Sequence, residues 1–584
     1  MASKRSCFNP TLMWKNVLRF WPCWAGTLLI ALLILPFGMS LSLPHNATAS
    51  RASSYTTEMV GIVAAAAFAL GILVPILLNK YLYTARSANF FHALPIRREG
   101  LLITNTVSGL FILWTPMVLT AIVTLLVELS FDAVDALSLF QLLLLYLGSS
   151  LLFFGIGTLC TYLTGMSVAA IGLYVAVNFA VIAIYYLFAA LTSSLIPSFT
   201  FSEDPGKILL LLTPIVNIYT DCTAYATAGA HSLMRLNGLP LIGAYAIAGV
   251  VLLVITVLLV RRRQTEHAGD LLSFNCLRPV FKVLFSLVLG IAGGLAMAAI
   301  YDLPSFTSVL IWTLVWSLIF WMIAEMLVRK SVRIFQRGVF ARWAALAACL
   351  ALVLVGLNLD LFHIARRVPA AEDVKSVSVA CMGEAVLTEP EQIEKSIALQ
   401  QTFIANEKQD RSVDSGWSNV VFTYRLNNGS SFARQYRVPY AVDDHSLTPS
   451  QTALSDFLSD PDITLARLFD GPLSGPAVLW TITLEDWTSD MYDELTGDDA
   501  WALYQAIEAD IRAGNYPSDI GVVNSDEGKL YTLNFSVAFR HAASSQYNPG
   551  YAAVYFTDRM VNTIACLDEL GYPSFKFRYA DEGK

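Results

Sequence analysis

Between Asn79 and Gly100 the chain reads NKYLYTARSANFFHALPIRREG, and this stretch gathers the residues best suited to a specific contact. Ser87 is placed to cap a short helix that Pro95 ends. Phe90, Phe91 and Leu94 then form a compact apolar knob, and Arg97 and Arg98, with Glu99, form a charged rim. An aromatic anchor inside an arginine rim is how a small interface concentrates binding energy. Basic and aromatic residues at a membrane edge also anchor to lipid, so these residues alone leave docking and anchoring both open. Catalytic constellations are missing from the chain. A phosphate-binding loop needs G-x-x-x-x-G-K-[ST], and the two Gly-Lys pairs, Gly206-Lys207 and Gly583-Lys584, lack the upstream glycine and the following hydroxyl. There is no G-x-S-x-G, no H-E-x-x-H and no Cys/His cluster, and the eight cysteines are scattered. The reading is therefore of a chain that is not an enzyme, with no cofactor or metal of its own.

The surroundings of this stretch define the class. Of 584 residues, 55% are hydrophobic and only 14% charged, and the mean hydropathy is +0.56, which is too apolar for a soluble domain. Charge is uneven along the chain. Residues 1–362 carry 21 Lys and Arg against 13 Asp and Glu, whereas 363–584 carry 17 against 32. A basic membrane region thus precedes an acidic, water-soluble tail large enough for its own core.

Nine apolar runs are long enough to cross a bilayer, at about 21–43, 58–79, 101–129, 137–162, 166–192, 237–260, 279–300, 306–328 and 343–362. With the N-terminus inside, the inside segments hold 18 Lys and Arg, and the outside loops before residue 363 hold only Arg51, Lys207 and Arg235. This is a strong positive-inside bias, and an odd number of spans carries the tail outside. Ahead of the first span, Asn9-Pro10 suits an N-cap and first helical position. Lys15 and Arg19 then oppose Met13, Trp14, Val17 and Phe20, the pattern of a helix lying in the interface. A signal-peptide start is the alternative, but the run from Ala25 to Leu43 exceeds the usual apolar core of one.

Polar residues inside the spans mark transport paths when they mark anything. They are few: Asn105 and Asn178, which become the candidate path residues, and Glu325, with Glu128 and Asp360 near span ends. Glu325 stands one turn before Arg329, which favours an interfacial ion pair over a place on a path. No relay of carboxylates is visible. On the outside, the segment from Thr192 to Gly238 contains ILLLLTPIVNIY (Ile208 to Tyr219), too short to cross and broken by Pro214. It reads as a re-entrant or interfacial helix, or as a cap on neighbouring spans.

The tail reads as α+β. Strands are expected at 374–382, on both sides of Asn428-Gly429, and at 477–484, 529–539 and 552–556. Helices are expected at 390–407, after Thr448-Pro449 with Gln451 completing a capping box, and at 498–513 and 558–570. The acidic run Glu485 to Asp499 lacks the order of a calcium loop and reads as a solvated surface. Whether Cys381 and Cys566 pair is left open.

Three short stretches together resemble a known family. FFHALPIRRE is similar to the F-x-x-LP-[IV]-x-R turn of ABC-2 type permeases. RRRQTEHAGDLLSF (Arg261 to Phe274) is similar to the R-x-x-E-x-AG-[DE] stretch after the sixth span in a Bacillota-type branch that carries extra spans and an outer domain. FTYRLNNGSSFARQYRVPY (Phe422 to Tyr440) resembles that branch's Y-x-L-x-N-G-x-x-x-x-R-x-Y hairpin, in a domain of unassigned function. The resemblance implies a polytopic α-helical membrane protein of about nine spans, six of them an ABC-2 type core, with a C-terminal extracellular α+β domain. Its parts would be an amphipathic helix at 1–20, the core at 21–260, three additional spans at 261–362 and the outer domain at 363–584. It implies the permease subunit of an ATP-driven exporter, in a bacterial cell membrane. ATP would be held on a separate ABC ATP-binding subunit, docked on the loop of Ser87, Phe90, Phe91, Leu94, Pro95, Arg97 and Arg98. Partners would include membrane lipid and a second permease, identical or related, and no nucleic acid. A membrane-anchored sensor of an extracellular antibiotic or peptide, signalling without transport, is the other expectation.

Overall fold

The computed structural model describes residues 8–43, 48–93, 96–195, 199–200, 207–227, 233–263, 268–301, 305–359, 361, 368–381, 383–410, 417–439, 448–469, 471–486, 491–516, 530–540 and 549–572. They fall into two units: Met1–Phe188 with Asp204–Ala351, and Ala189–Glu203 with Leu352–Lys584.

The first unit is helical because its sequence is a succession of apolar runs that can satisfy their backbone groups in lipid only as helices. α1 (Pro10–Arg19) begins as Asn9-Pro10 predicts, with the Asn9 side chain accepting from the Leu12 N–H at 3.1 Å. α2 (Trp21–Leu32) runs through a π-helical turn at Leu33–Phe37, which contains Pro36, into α3 (Gly38–Ser42). α4 (Ala49–Glu58) and α5 (Val60–Leu78) follow. The second span therefore starts well before the apolar run at 58. Its first turns are hydroxyl-rich, and Thr56 and Thr57 return their hydroxyls to the carbonyls of Ala52 and Ser53, so a polar stretch is carried as helix that hydropathy misses.

After α6 (Ala85–Ala93) come α7 (Arg98–Ser130), α8 (Ala136–Leu163) and α9 (Ser167–Leu195). A two-residue strand, β1 (Phe199–Thr200), precedes α10 (Lys207–Leu211) and α11 (Pro214–Asp221). The run 208–219 is thus two short helices, because Pro214 opens a new helix at its first position. The hairpin β2 (Ala224–Ala226) and β3 (Met234–Leu236) leads into α12 (Leu239–Val260), α13 (Leu277–Ile300), α14 (Phe306–Arg329) and α15 (Arg337–Asn358). Among the described residues nine helices are long and apolar enough to cross a membrane, and each overlaps one of the nine expected runs.

α8 is the central helix of the first six, and glycine lets its backbone touch two neighbours. A Cβ on Gly157 would lie 2.1 Å from the Gly71 carbonyl of α5, and one on Gly155 would lie 2.7 Å from the Gly249 carbonyl of α12. In lipid, where apolar side chains gain nothing by leaving solvent, such close approach is a main source of helix association.

The second unit contains two sheets of the same design. In the first half, β4 (Val374–Ala380) and β5 (Glu384–Leu387) are followed by α16 (Pro390–Asp410), the hairpin β6 (Trp417–Leu426) and β7 (Ser431–Pro439), and α17 (Pro449–Leu458). α18 (Pro461–Phe469) comes next. The second half repeats the order with β8 (Leu479–Asp486), β9 (Met491–Leu495), α19 (Gly497–Arg512), β10 (Leu530–Arg540), β11 (Pro549–Thr557) and α20 (Val561–Glu569). Both sheets run fourth, third, first, second: β7-β6-β4-β5, extended at β7 by β1, and β11-β10-β8-β9.

The register matches as well. Ser378–Thr423–Ala433 cross the middle of one sheet and Thr483–Ser536–Ala553 the other. One step along, Val379–Phe422 and Leu484–Phe535 occupy equivalent places in the two cores. α18 serves both cores, Ile463 and Ala466 facing the first and Leu465 and Phe469 the second. The expected strands and helices of the tail are present, Gly429 turns the hairpin at φ +83°, and the Thr448–Gln451 capping box forms. β5, β9, α18 and the duplication itself went unread. Cys381 lies in the first core and Cys566 against the second, and no disulfide joins them.

Candidate functional site

The loop after the second span begins with a side chain that ends α5. Asn79 donates its amide N–H to the Pro75 carbonyl at 3.0 Å, and its Oδ1 accepts from Asn105 Nδ2 at 3.0 Å and from the Tyr162 hydroxyl at 3.2 Å. Asn105 Oδ1 accepts in turn from Asn16 Nδ2 of α1 at 2.9 Å. Three asparagines and a tyrosine therefore tie α1, α5, α7 and α8 at their basic ends. A buried amide costs little when its donors and acceptors are met. Tyr81, in the 3₁₀ turn Lys80–Tyr83, lies with its hydroxyl 3.3 Å from that of Tyr162. Burial holds the Tyr81 phenol well above its usual range and pushes Tyr83 up to about 12, so both hydroxyls keep their protons at neutral pH.

On this frame stands α6, nine residues long. The helix starts at Ala85, and Thr84 in extended conformation occupies the cap position with its carbonyl accepting from the Ala88 N–H. Ser87 thus sits inside the first turn, because Thr84, itself of a capping residue type, comes first. Ala88 is buried and Phe91 turns inward, its ring 4.7 Å from that of Tyr81. Arg86, Asn89, Phe90 and Ala93 occupy the exposed face at helical spacing, with Phe90 66% exposed. Of the two phenylalanines, one fastens the helix and the other is presented. Leu94 and Pro95 lie outside the described residues. Arg97 and Arg98 are exposed at the exit.

The exit is clasped by the segment after span six. Arg98 Nη1 donates to the Arg263 carbonyl at 3.2 Å, and Arg261 pairs with Glu99 at 2.5 Å, which raises the Arg261 guanidinium above its ordinary value. Arg263 is buried. Its guanidinium donates to the carbonyls of Thr161 at 3.1 Å, Thr164 at 2.9 Å and Leu82 at 3.4 Å, and lies 5.6 Å from the Tyr162 ring centroid. Further along, the Gly269 N–H donates to the Gly165 carbonyl at 2.7 Å and the Gly165 N–H to the Asp270 carbonyl at 3.0 Å. The Asp270 side chain receives Arg278 at 3.0 Å and Lys330 at 2.5 Å. Four of the five segments expected inside, 80–100, 164–165, 261–282 and 329–342, thereby touch one another, and the fifth, 1–20, joins them through the Asn16–Asn105 bond.

The two candidate path residues are not brought together. Asn105 belongs to the asparagine network above. Asn178, on α9, donates to the Tyr174 carbonyl at 2.9 Å, and its buried Oδ1 has no hydrogen-bond partner among the described residues. Glu325 is buried between Lys282 at 2.5 Å and Arg329 at 2.6 Å, the ion pair its spacing suggested plus a second cation from α13 that the spacing could not show. An apolar cavity of about 190 Å³ opens between α2 and α5 over Met117 and Tyr146, and neither asparagine lines it. Sequence reasoning missed Asn16, Asn79, Tyr162 and Arg263. Arg263 was hidden in an Arg-Arg-Arg run that topology alone explains, and the signal that could have found it is its place three residues beyond the end of a span.

Comparison of the chain with protein-family models, with curated proteins and with solved structures found no match.

Proposed function

We propose that this chain is the permease subunit of an ATP-driven exporter of the ABC-2 type, worked by a separate ATP-binding subunit that docks on α6. The observation that carries the reading is the exposed face of α6: Arg86, Asn89, Phe90 and Ala93 on a short helix fastened by Phe91 and Tyr81 to the network that ties α1 to the ends of three long apolar helices, α5, α7 and α8. A helix that served only as a lipid anchor needs no such frame, whereas a helix that passes on force does. Phe90 is the anchor a partner pocket would take, and Arg86, Arg97 and Arg98 the rim.

In this reading the basic end is cytoplasmic, the tail lies outside a bacterial cell, and two permeases, identical or related, enclose the path. The parity of the topology is supported by β1, which follows the fifth membrane helix and pairs with β7, which follows the ninth. Strand pairing needs both on one side, and the even number of helices between them allows it. The apolar cavity and the scarcity of ionisable side chains in the spans favour an amphiphilic cargo. A sensor that signals without transport draws on one observation, the self-contained duplicated tail with its two cores.

The test is copurification from native membranes. Wild-type chain should carry an ATP-binding subunit with it, and Phe90→Asp should lose at least tenfold of that subunit while membrane insertion stays intact. Undiminished copurification by Phe90→Asp would reject α6 as the docking site.

A further inference from the structure

We propose that Arg263 is a positioning residue that locks α6 to the ends of α8 and α12, so that movement of the docking helix is delivered to those two spans as one body. The inference rests on the permease reading for its purpose and on geometry for its mechanism.

Arg261, Arg262 and Arg263 follow α12 directly, but they do different work. Arg261 and Arg262 are exposed, as charges that set topology should be, whereas Arg263 is only 7% exposed. Among the described residues no carboxylate faces its guanidinium. The described groups around it are the phenols of Tyr81, Tyr83 and Tyr162 and three backbone carbonyls, and burial pulls its pKa below the ordinary arginine value. A desolvated cation is retained in such a place only where its donors are met, and here each acceptor belongs to another segment. Thr161 lies in the last turn of α8, Thr164 is its C-cap, and Leu82 is the root of the α6 loop. Its own carbonyl receives Arg98, the other root of that loop. Arg263 therefore holds both stems of the docking helix and the end of α8 from the turn that directly follows α12.

The shape of the side chain decides between this role and plain charge. Guanidinium spreads donors in a planar fork and stacks on aromatic rings, while an ammonium is a point charge that can do neither over three carbonyls. Lysine would preserve topology and lose the clasp.

Spin labels at Ala85→Cys, at the start of α6 and outside the docking residues, and Leu258→Cys on α12, both exposed sites, report the lock as a distance distribution in the full chain in lipid nanodiscs. In the Arg263 protein the distribution should be narrow, and unchanged when the copurified ATP-binding subunit is trapped with ATP and vanadate. Arg263→Lys and Arg263→Gln should each widen it at least twofold, and trapping should then shift it, while copurification of the ATP-binding subunit stays within twofold of wild type. A distribution in Arg263→Lys as narrow as in wild type would overturn the proposal and leave Arg263 a topology charge. Arg263→Lys keeps the charge, so its insertion and monodispersity separate loss of the clasp from loss of folding. If no ATP-binding subunit copurifies even with wild type, the permease reading fails, and the untrapped distances still decide whether Arg263 clasps α6.

Discussion

The two halves of the tail share a chain order and a sheet register, yet they finish their last helix in different ways. A helix N-terminus leaves backbone N–H groups without partners, and each half must supply acceptors. In the first half the supply is local: the Thr448 hydroxyl accepts from the Gln451 N–H at 3.3 Å, and the Gln451 side chain accepts from the Thr448 N–H at 2.6 Å. In the second half no side chain caps α20 from its own N-cap position. Asp510, buried on α19, does so across the fold, accepting from the N–H groups of Asn562 at 3.1 Å and Thr563 at 2.7 Å, the Thr563 hydroxyl at 2.7 Å and the Asn562 amide at 2.8 Å. The first solution is fixed by four consecutive residues and survives without the rest of the domain. The second exists only when α19 and α20 are already packed, so the end of the second half is more dependent on its tertiary structure.

The sharpest way to break this contrast is Asp510→Ala. It leaves the buried N–H and hydroxyl of Thr563 without acceptors, at about 1–3 kcal/mol per orphaned group, and frees the part-buried N–H of Asn562. The loss should show as faster hydrogen exchange throughout α19 and α20 of the full-length chain, by a hundredfold or more, with α17 unaffected. Thr448→Ala should be milder, about 1 kcal/mol, and confined to the first turn of α17. Equal effects from the two substitutions would mean that the caps are equivalent and the contrast is only one of sequence position.

The smallest effect belongs to α18, which joins the halves. Burial alone would raise the Asp460 carboxyl, but Lys395 at 2.8 Å and the Asp462 N–H hold it below the usual carboxylate range. A carboxyl depressed in the folded state stabilises above its unfolded pKa, about 4, and loses that contribution as pH falls through the depressed value. Exchange in α18 should therefore quicken below about pH 4, and Asp460→Asn should flatten that acid limb. An unchanged limb would place the acid sensitivity elsewhere.

The same contrast between local and assembled features explains what the sequence made legible. Spans, the Asn9-Pro10 start, the Asn428-Gly429 hairpin and the Thr448 cap are written in neighbouring residues and were readable. Asp510, Arg263 and the Asn16–Asn105–Asn79 chain act across long separations, on backbone carbonyls for Arg263 and on side chains of other helices for the asparagines, and a residue type carries no trace of a partner that only the fold brings near. Within α6 the dividing line falls between neighbours. Two adjacent phenylalanines look alike in sequence, and only the position of Tyr81 makes Phe91 a fastener and Phe90 a contact. β9 was lost in the acidic run for a related reason: Asp493 and Glu494 sit on an exposed edge strand, where charge guards against pairing with other chains, and that reads in sequence as loop.

β1 has a consequence for synthesis. Its two residues pair with Ala433 and Arg434, more than two hundred positions later in the chain. At ordinary translation rates the ribosome makes β1 roughly 10–50 s before β7 exists, with four membrane helices still to be inserted between them. The first sheet of the tail is therefore begun by a segment made before four of the long apolar helices and completed by one made after them, which makes its closure a late, non-local step in biogenesis. A tail expressed without residues 199–200 would fold with β7 as an open edge, available to any strand that meets it.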